Sequence, residues 1–152
     1  METINVTFTR RRWNPISWLI RWAVPRSRFS LALSSHCMVS VGDRVFEAHM
    51  IYGVRETDRS AALRGATVVK ETCYQVTNAD AGIAFAREQV LKRTRYDWAG
   101  ALGLCLTPGR DWKQDDKFFC YEFAAAVLHA SGRHVFNNLT HVGETALMAI
   151  NP

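Results

Sequence analysis

No stretch of this 152-residue chain is both apolar enough and long enough to cross a bilayer, which takes about 20 consecutive apolar residues. The opening METINVTFTRRRW has no apolar h-region, so no cleaved secretory signal is expected and the chain should start out cytoplasmic. The four cysteines, Cys37, Cys73, Cys105 and Cys120, form no CxxC pair. That argues against a structural metal site and against a disulfide framework, and it leaves room for a working thiol. Internal repeats and low-complexity linkers are also missing. With 48% apolar and 22% charged residues, disorder is not indicated, and the length fits one domain, residues 1–152, with its own core.

Acids are absent from TRRRWNPISWLIRWAVPRSR, a segment that carries Trp13, Trp18 and Trp22 among its arginines. Three readings of residues 10–28 compete: a core-packing amphipathic helix with solvated arginines, a groove for an anionic polymer, and a helix lying on a membrane surface. The net charge of +5 does not by itself make a nucleic-acid binder, and no such motif is present, so specific nucleic-acid recognition is not expected.

What is present reads as an α+β domain. INVTFT alternates and predicts a strand. Asn14-Pro15 starts a helix, with Asn14 as N-cap, that runs through ISWLIRWA and stops before Pro25. HCMVSVGDRVFEAHMIYGV predicts a hairpin turning at Gly42-Asp43, where glycine at the first central position suits a type II′ turn. ATVVKETCYQV predicts a further strand, and Asn78 or Asp80 caps a helix through AGIAFAREQVLKR. YDWAGALGLCL predicts a short helix ending near Thr107-Pro108-Gly109. FFCYEFAAAVL starts a helix that closes at Gly132. HVGETALMAI predicts a short last helix.

Cys120 falls in the first turn of its helix and on the same face as Phe123, Ala124 and Val127. Two readings stay open from these residues alone. A free cysteine commonly packs as a small hydrophobe. A cysteine at a helix N-terminus also meets the positive end of the macrodipole, which favours a thiolate. Asp115 and Asp116 just upstream oppose that unless they cap the helix.

A nucleophile needs a base. His129 is too far along the same helix, and His134 and His141 belong to a loop-rich tail. Counting out from Gly42-Asp43, Met38 faces Glu47 and His36 faces His49. His36, Glu47 and His49 therefore share one side of the hairpin, and Cys37, Val39 and Val41 take the other. That side is either a solvated polar face or, if the Cys120 helix packs on it, a set of nucleophile, base and orienter.

Several segments in order resemble the circularly permuted papain-like hydrolases related to the NlpC-type cell-wall peptidases, the YiiX-like group, which also occurs in phage genomes. They are ISWLIRW, then SRFSLALSSHCMVSVGDRVFEAHMIYGV, then YDWAGALGL and FFCYEFAAAVLHASG, spanning about Trp13 to Gly132. The resemblance implies a small antiparallel sheet packed against helices, with Cys120 as nucleophile, His36 as general base and Glu47 as the orienting residue. The histidine precedes the cysteine, as the permuted form implies; a triad is defined by geometry rather than chain order. Two departures stand out. Tyr121 replaces the family's usual serine and is expected to crowd or reshape the site, and His49 is an alternative orienter to Glu47.

On this resemblance the activity is cysteine-dependent cleavage of an amide bond in a peptide or in peptidoglycan, with no cofactor and no metal. Tyr121, Trp98, Trp18 and Trp22 are the candidates for a substrate groove. The alternatives are an acyl- or lipid-directed thiol hydrolase or acyltransferase, which the Trp/Arg segment fits, and a non-catalytic phage tail or virion component keeping the same fold.

Overall fold

The alternation of Ile4, Val6 and Phe8 with Thr7 and Thr9 produces strand β1 (Glu2–Arg10), longer at both ends than its apolar pattern. In a computed structural model, the chain is described at residues 2–11, 15, 17, 18, 21, 34–101, 116–134, 136, 139 and 142–150. Pro15, Ser17, Trp18 and Arg21 are helical, as expected. The Asn14 cap, the stop before Pro25, Trp22, Cys105, the helix end near Thr107-Pro108-Gly109, Asp115 and His141 lie outside the described residues.

The hairpin forms from β2 (His36–Val41) and β3 (Arg44–His49), with Val41 opposite Arg44 and Ser40 opposite Val45. Gly42 has φ +55 at the first central position and Asp43 does not share a positive φ, which fits the II′ turn. A strand the sequence reading did not separate, β4 (Gly53–Asp58), returns after a turn at residues 50–52 and places Arg55 opposite Glu47. A short helix, α1 (Arg59–Ala62), leads to β5 (Thr67–Val76). These strands make one antiparallel sheet in the order β4-β3-β2-β1-β5.

Helix α2 (Ala79–Leu91) is capped by Asn78, whose side chain accepts from the Ala81 N–H at 2.9 Å, while Asp80 sits within the first turn. A two-stranded parallel pair follows, β6 (Arg95–Tyr96) with β7 (Lys117–Phe118), and then α3 (Cys120–Ala130) and α4 (Glu144–Met148). α3 ends as expected, with Gly132 at φ +83 just beyond it.

The core lies on one side of the sheet. Ile4, Val6, Phe8, Cys37, Val39, Phe46, Ala48 and Tyr74 pack against α3, which is buried at every residue from Cys120 to Leu128. A helix buried on every side, apolar there apart from Glu122, belongs inside a molecule, and Ala124, Ala125 and Ala126 keep it slim enough to fit. On the opposite side, Met38 and Val45 meet Ala62 and Leu63. The buried hydroxyls of Thr7 and Ser40 lie 3.5 Å from Nη1 of Arg59, whose Nη2 donates to Glu71 at 2.9 Å. Among the described residues no helix is long and apolar enough to cross a membrane.

Candidate active site

The β2–β3 ladder stops at Val39 opposite Phe46, so His36 is not the direct cross-strand partner of His49 that simple counting gives. The sequence left open which face of the hairpin the Cys120 helix covers. α3 packs on the face carrying Cys37, Val39, Phe46 and Ala48, not on the face assigned to His36 and Glu47. Cys120 and His36 nevertheless interact, because His36 opens β2 and Cys120 opens α3.

His36 is aimed from two directions. Behind it, the Ser35 N–H donates to the Thr9 carbonyl at 2.9 Å, and the Ser34 N–H donates to Oε1 of Glu144 at 2.5 Å. The Ser34 hydroxyl also meets the Tyr121 hydroxyl at 3.0 Å. Ahead of it, Nε2 lies 2.5 Å from Oε2 of Glu47. The other carboxylate oxygen of Glu47 accepts from Arg55 Nε at 2.8 Å and Nη2 at 2.5 Å. With Nε2 engaged, the carboxylate fixes the plane of the ring.

The electrostatics follow from this packing. Burial pulls the His36 imidazole down, but hydrogen bonding and charge from Cys120 and Glu47 outweigh it and lift it to about 10. Burial pushes Glu47 up, and His36 and Arg55 together override that and hold it at about 2. Burial likewise pushes the Cys120 thiol up, yet hydrogen bonds from Cys37 and His36 and the charge of His36 bring it well below the ordinary thiol range. The row Cys120, His36, Glu47, Arg55 therefore favours alternating charge, with a thiolate facing an imidazolium and a carboxylate facing a guanidinium. The Cys120 sulfur also sits at the start of a helix whose N-cap, Phe119, has no capping side chain, and the first-turn N–H groups of a helix have no partner within it.

A cleft of about 170 Å³ opens beside His36 and Glu47, walled also by Arg11, Ser17, His49, Ile51 and Tyr96. Cys120 is 3% exposed and is not part of that wall. His49 lines the cleft, but its Nδ1 accepts from the Ile51 N–H at 3.2 Å and its ring stacks on Tyr52 at 4.9 Å. Burial lowers its pKa. The bond to His36 is made by Glu47.

Tyr121 is 2% exposed and does not line this cleft; its hydroxyl meets that of Ser34, two residues before His36. Trp98 is half-exposed and meets Tyr96, a cleft residue, edge-on at 5.2 Å without lining the cleft itself. Trp18 is exposed, with the Arg21 guanidinium 5.8 Å from its ring centre. Arg55, Ser34, Glu144, Tyr96 and Cys37 were not picked out as site residues by sequence reasoning. Arg55 had a usable signal, since a turn at residues 50–52 puts it directly across from Glu47. Among the described residues no three of His, Cys, Asp and Glu are grouped as a metal ion would need.

Comparison with models of known protein families, with curated proteins and with solved structures finds no match for this chain.

Proposed function

We propose that this protein is a cysteine hydrolase of the permuted papain-like kind, cleaving an amide bond in a peptide or peptidoglycan stem through Cys120, His36 and Glu47. One observation carries the reading: His36 is held at Nε2 by a buried, Arg55-locked carboxylate while its ring interacts with the thiol of Cys120. Structural ion pairs do not need a cysteine at one end and an otherwise uncapped helix start beneath it.

The Cys120 thiolate attacks the acyl carbon, and the carbonyl oxygen takes up the negative charge. First-turn N–H groups of α3 are the donors in place to receive it. As the tetrahedral intermediate collapses, His36 gives its proton to the leaving amine and the acyl group stays on sulfur as a thioester. His36, now neutral, takes a proton from water as the water attacks, and the acid departs with the thiolate restored. Glu47 keeps the ring oriented through both steps and stabilises its charged form.

The test is digestion of purified peptidoglycan with the products read by mass spectrometry. Wild type is expected to release new amine-terminated fragments, and Cys120→Ala to release none while keeping its circular dichroism spectrum. Undiminished cleavage by Cys120→Ala sinks the reading. A thiol-reactive probe separates it from a non-catalytic virion component, in which Cys120 would stay inert at neutral pH.

A second reading is favoured by the apolar side chains around the cleft. Ile51 and Tyr52 are exposed on the turn beside it, and Trp18 is exposed next to the cleft residue Ser17. Such a rim suits a lipid acyl substrate presented by a membrane surface. Co-sedimentation with anionic liposomes, lost in Trp18→Ala and Tyr52→Ala, distinguishes it.

A further inference from the structure

The proposed mechanism has no use for Cys37, yet this is the thiol that touches the nucleophile. Its sulfur donates to the Cys120 carbonyl oxygen at 3.2 Å, and both residues are buried, at 1% and 3% exposure. Cys37 directly follows His36 on β2, and it projects onto the face that α3 covers, beneath the first turn of that helix. The two sulfurs differ in kind. Burial, then hydrogen bonding and charge from Cys120, push Cys37 well above the ordinary thiol range, whereas Cys120 lies well below it. The environment thus favours the thiolate at Cys120 and the protonated thiol at Cys37 beside it.

We infer that Cys37 is a resolving thiol for Cys120, so that the pair is a site of reversible oxidation by a peroxide. The Cys120 thiolate displaces hydroxide from hydrogen peroxide and becomes a sulfenic acid, a two-electron oxidation of its sulfur. The Cys37 sulfur then attacks the Cys120 sulfur, the S–O bond breaks, and the Cys37 proton leaves with the departing hydroxide as water. Two thiols and one peroxide give one disulfide and two waters. The bond caps the nucleophile and stops it from proceeding to the irreversible sulfinic acid. Cys73 lies exposed on β5. Among the described cysteines it is the one open to reagent, and it has no place in the link.

This inference rests on the proposed function only in calling Cys120 the nucleophile, since the sulfur chemistry is read without substrate. The native protein is treated with hydrogen peroxide, blocked, digested with trypsin and mapped by mass spectrometry. Trypsin separates the four cysteines, placing Cys37 in peptide 29–44 and Cys120 in peptide 118–133. The expected product is peptide 29–44 joined to 118–133, two hydrogens lighter than the pair and released by dithiothreitol. In Cys37→Ser and Cys37→Ala, with folding checked by circular dichroism, the same dose should carry Cys120 to sulfinic acid that dithiothreitol does not reverse. Three results would overturn the inference: sulfinic acid at Cys120 in wild type with Cys37 free, a link from Cys120 to Cys73 or Cys105, or no reaction at Cys120. A linked peptide in a protein whose Cys120→Ala variant still hydrolyses substrate leaves this inference standing and removes the proposed mechanism.

Discussion

A thiol inside an apolar core keeps its proton, because burial raises the energy of the thiolate. Cys120 departs from that rule because, inside that apolar core, His36 and Cys37 both bear on its thiol. His36 brings positive charge, Cys37 brings a hydrogen bond, and Glu47 and Arg55 hold the imidazolium in place from behind. A direct consequence concerns reactivity at low pH. Alkylation of Cys120 by iodoacetamide should stay fast at pH 6, where a free thiol, with a pKa of about 8.5, is almost wholly protonated. In His36→Ala the rate at pH 6 should drop and its midpoint move to the ordinary thiol range. A wild-type profile that already rises near pH 8.5 contradicts the thiolate assignment. Glu47→Gln keeps the shape but loses the charge, and turnover should fall by about 10²–10⁴-fold with the His36 titration moved downward. His49→Ala should change turnover far less, since its ring bonds to the Ile51 N–H and stacks on Tyr52 rather than orienting His36.

At the level of elements, the site depends on how closely α3 is clamped. The sheet lies under it and α2 lies beside it. Gly82 of α2 makes the close approach possible. A Cβ at this position would collide with the Ser131 hydroxyl and stand 2.9 Å from the Val127 carbonyl oxygen, which is backbone and cannot swing aside. Gly82→Ala should therefore destabilise the protein by about 1–3 kcal/mol despite the better helix propensity of alanine, seen as a lower urea midpoint. A midpoint equal to or above wild type would show that α2 and α3 separate easily. Here the sequence was only partly informative. Asn78, the Gly42-Asp43 turn and Gly132 are local signals, and each appears where the reading put it. Strand β4 was hidden, because GVRETD has no clean alternation and its pairing partner, β3, supplies the order.

Across the whole molecule, the ionised row gives stability a pH dependence whose sign can be worked out. Glu47 is held at about 2 in the folded state against an ordinary 4.5. Its contribution is therefore present above 4.5 and lost as the pH falls towards 2. His36 is raised to about 10 from 6.5, so its contribution is complete below 6.5 and lost on the way up to 10. Cys120 is lowered from 9.0, and its contribution grows as the pH rises towards that value. Between 6.5 and 9.0 these last two act in opposite directions, because the folded pair and the unfolded pair bind the same number of protons. The stability gap between wild type and Glu47→Gln, measured by denaturant titration, should be open at pH 7 and close from pH 4.5 down towards 2. A gap that does not vary with pH would mean the Glu47 carboxylate contributes no charge to the fold.

Sequence alone determined what short-range rules can carry. It gave the α+β class, the hairpin and its turn, the two capped helices, and the three residue types that a thiol-based site requires. It also placed His36 and Glu47 on neighbouring strands. It could not decide which face of the hairpin the Cys120 helix would cover. Only the tertiary structure decided that α3 lies over Cys37 and Val39, that pairing between β2 and β3 stops short of His36, and that Glu47 rather than His49 receives the ring. The reason is physical. Alternation assigns side chains to faces of an ideal ladder, whereas the ring of His36 is positioned where the ladder ends. There its direction is set by Glu47 across the hairpin and, through hydrogen bonds from distant parts of the chain, by Thr9, Glu144 and Tyr121 behind it.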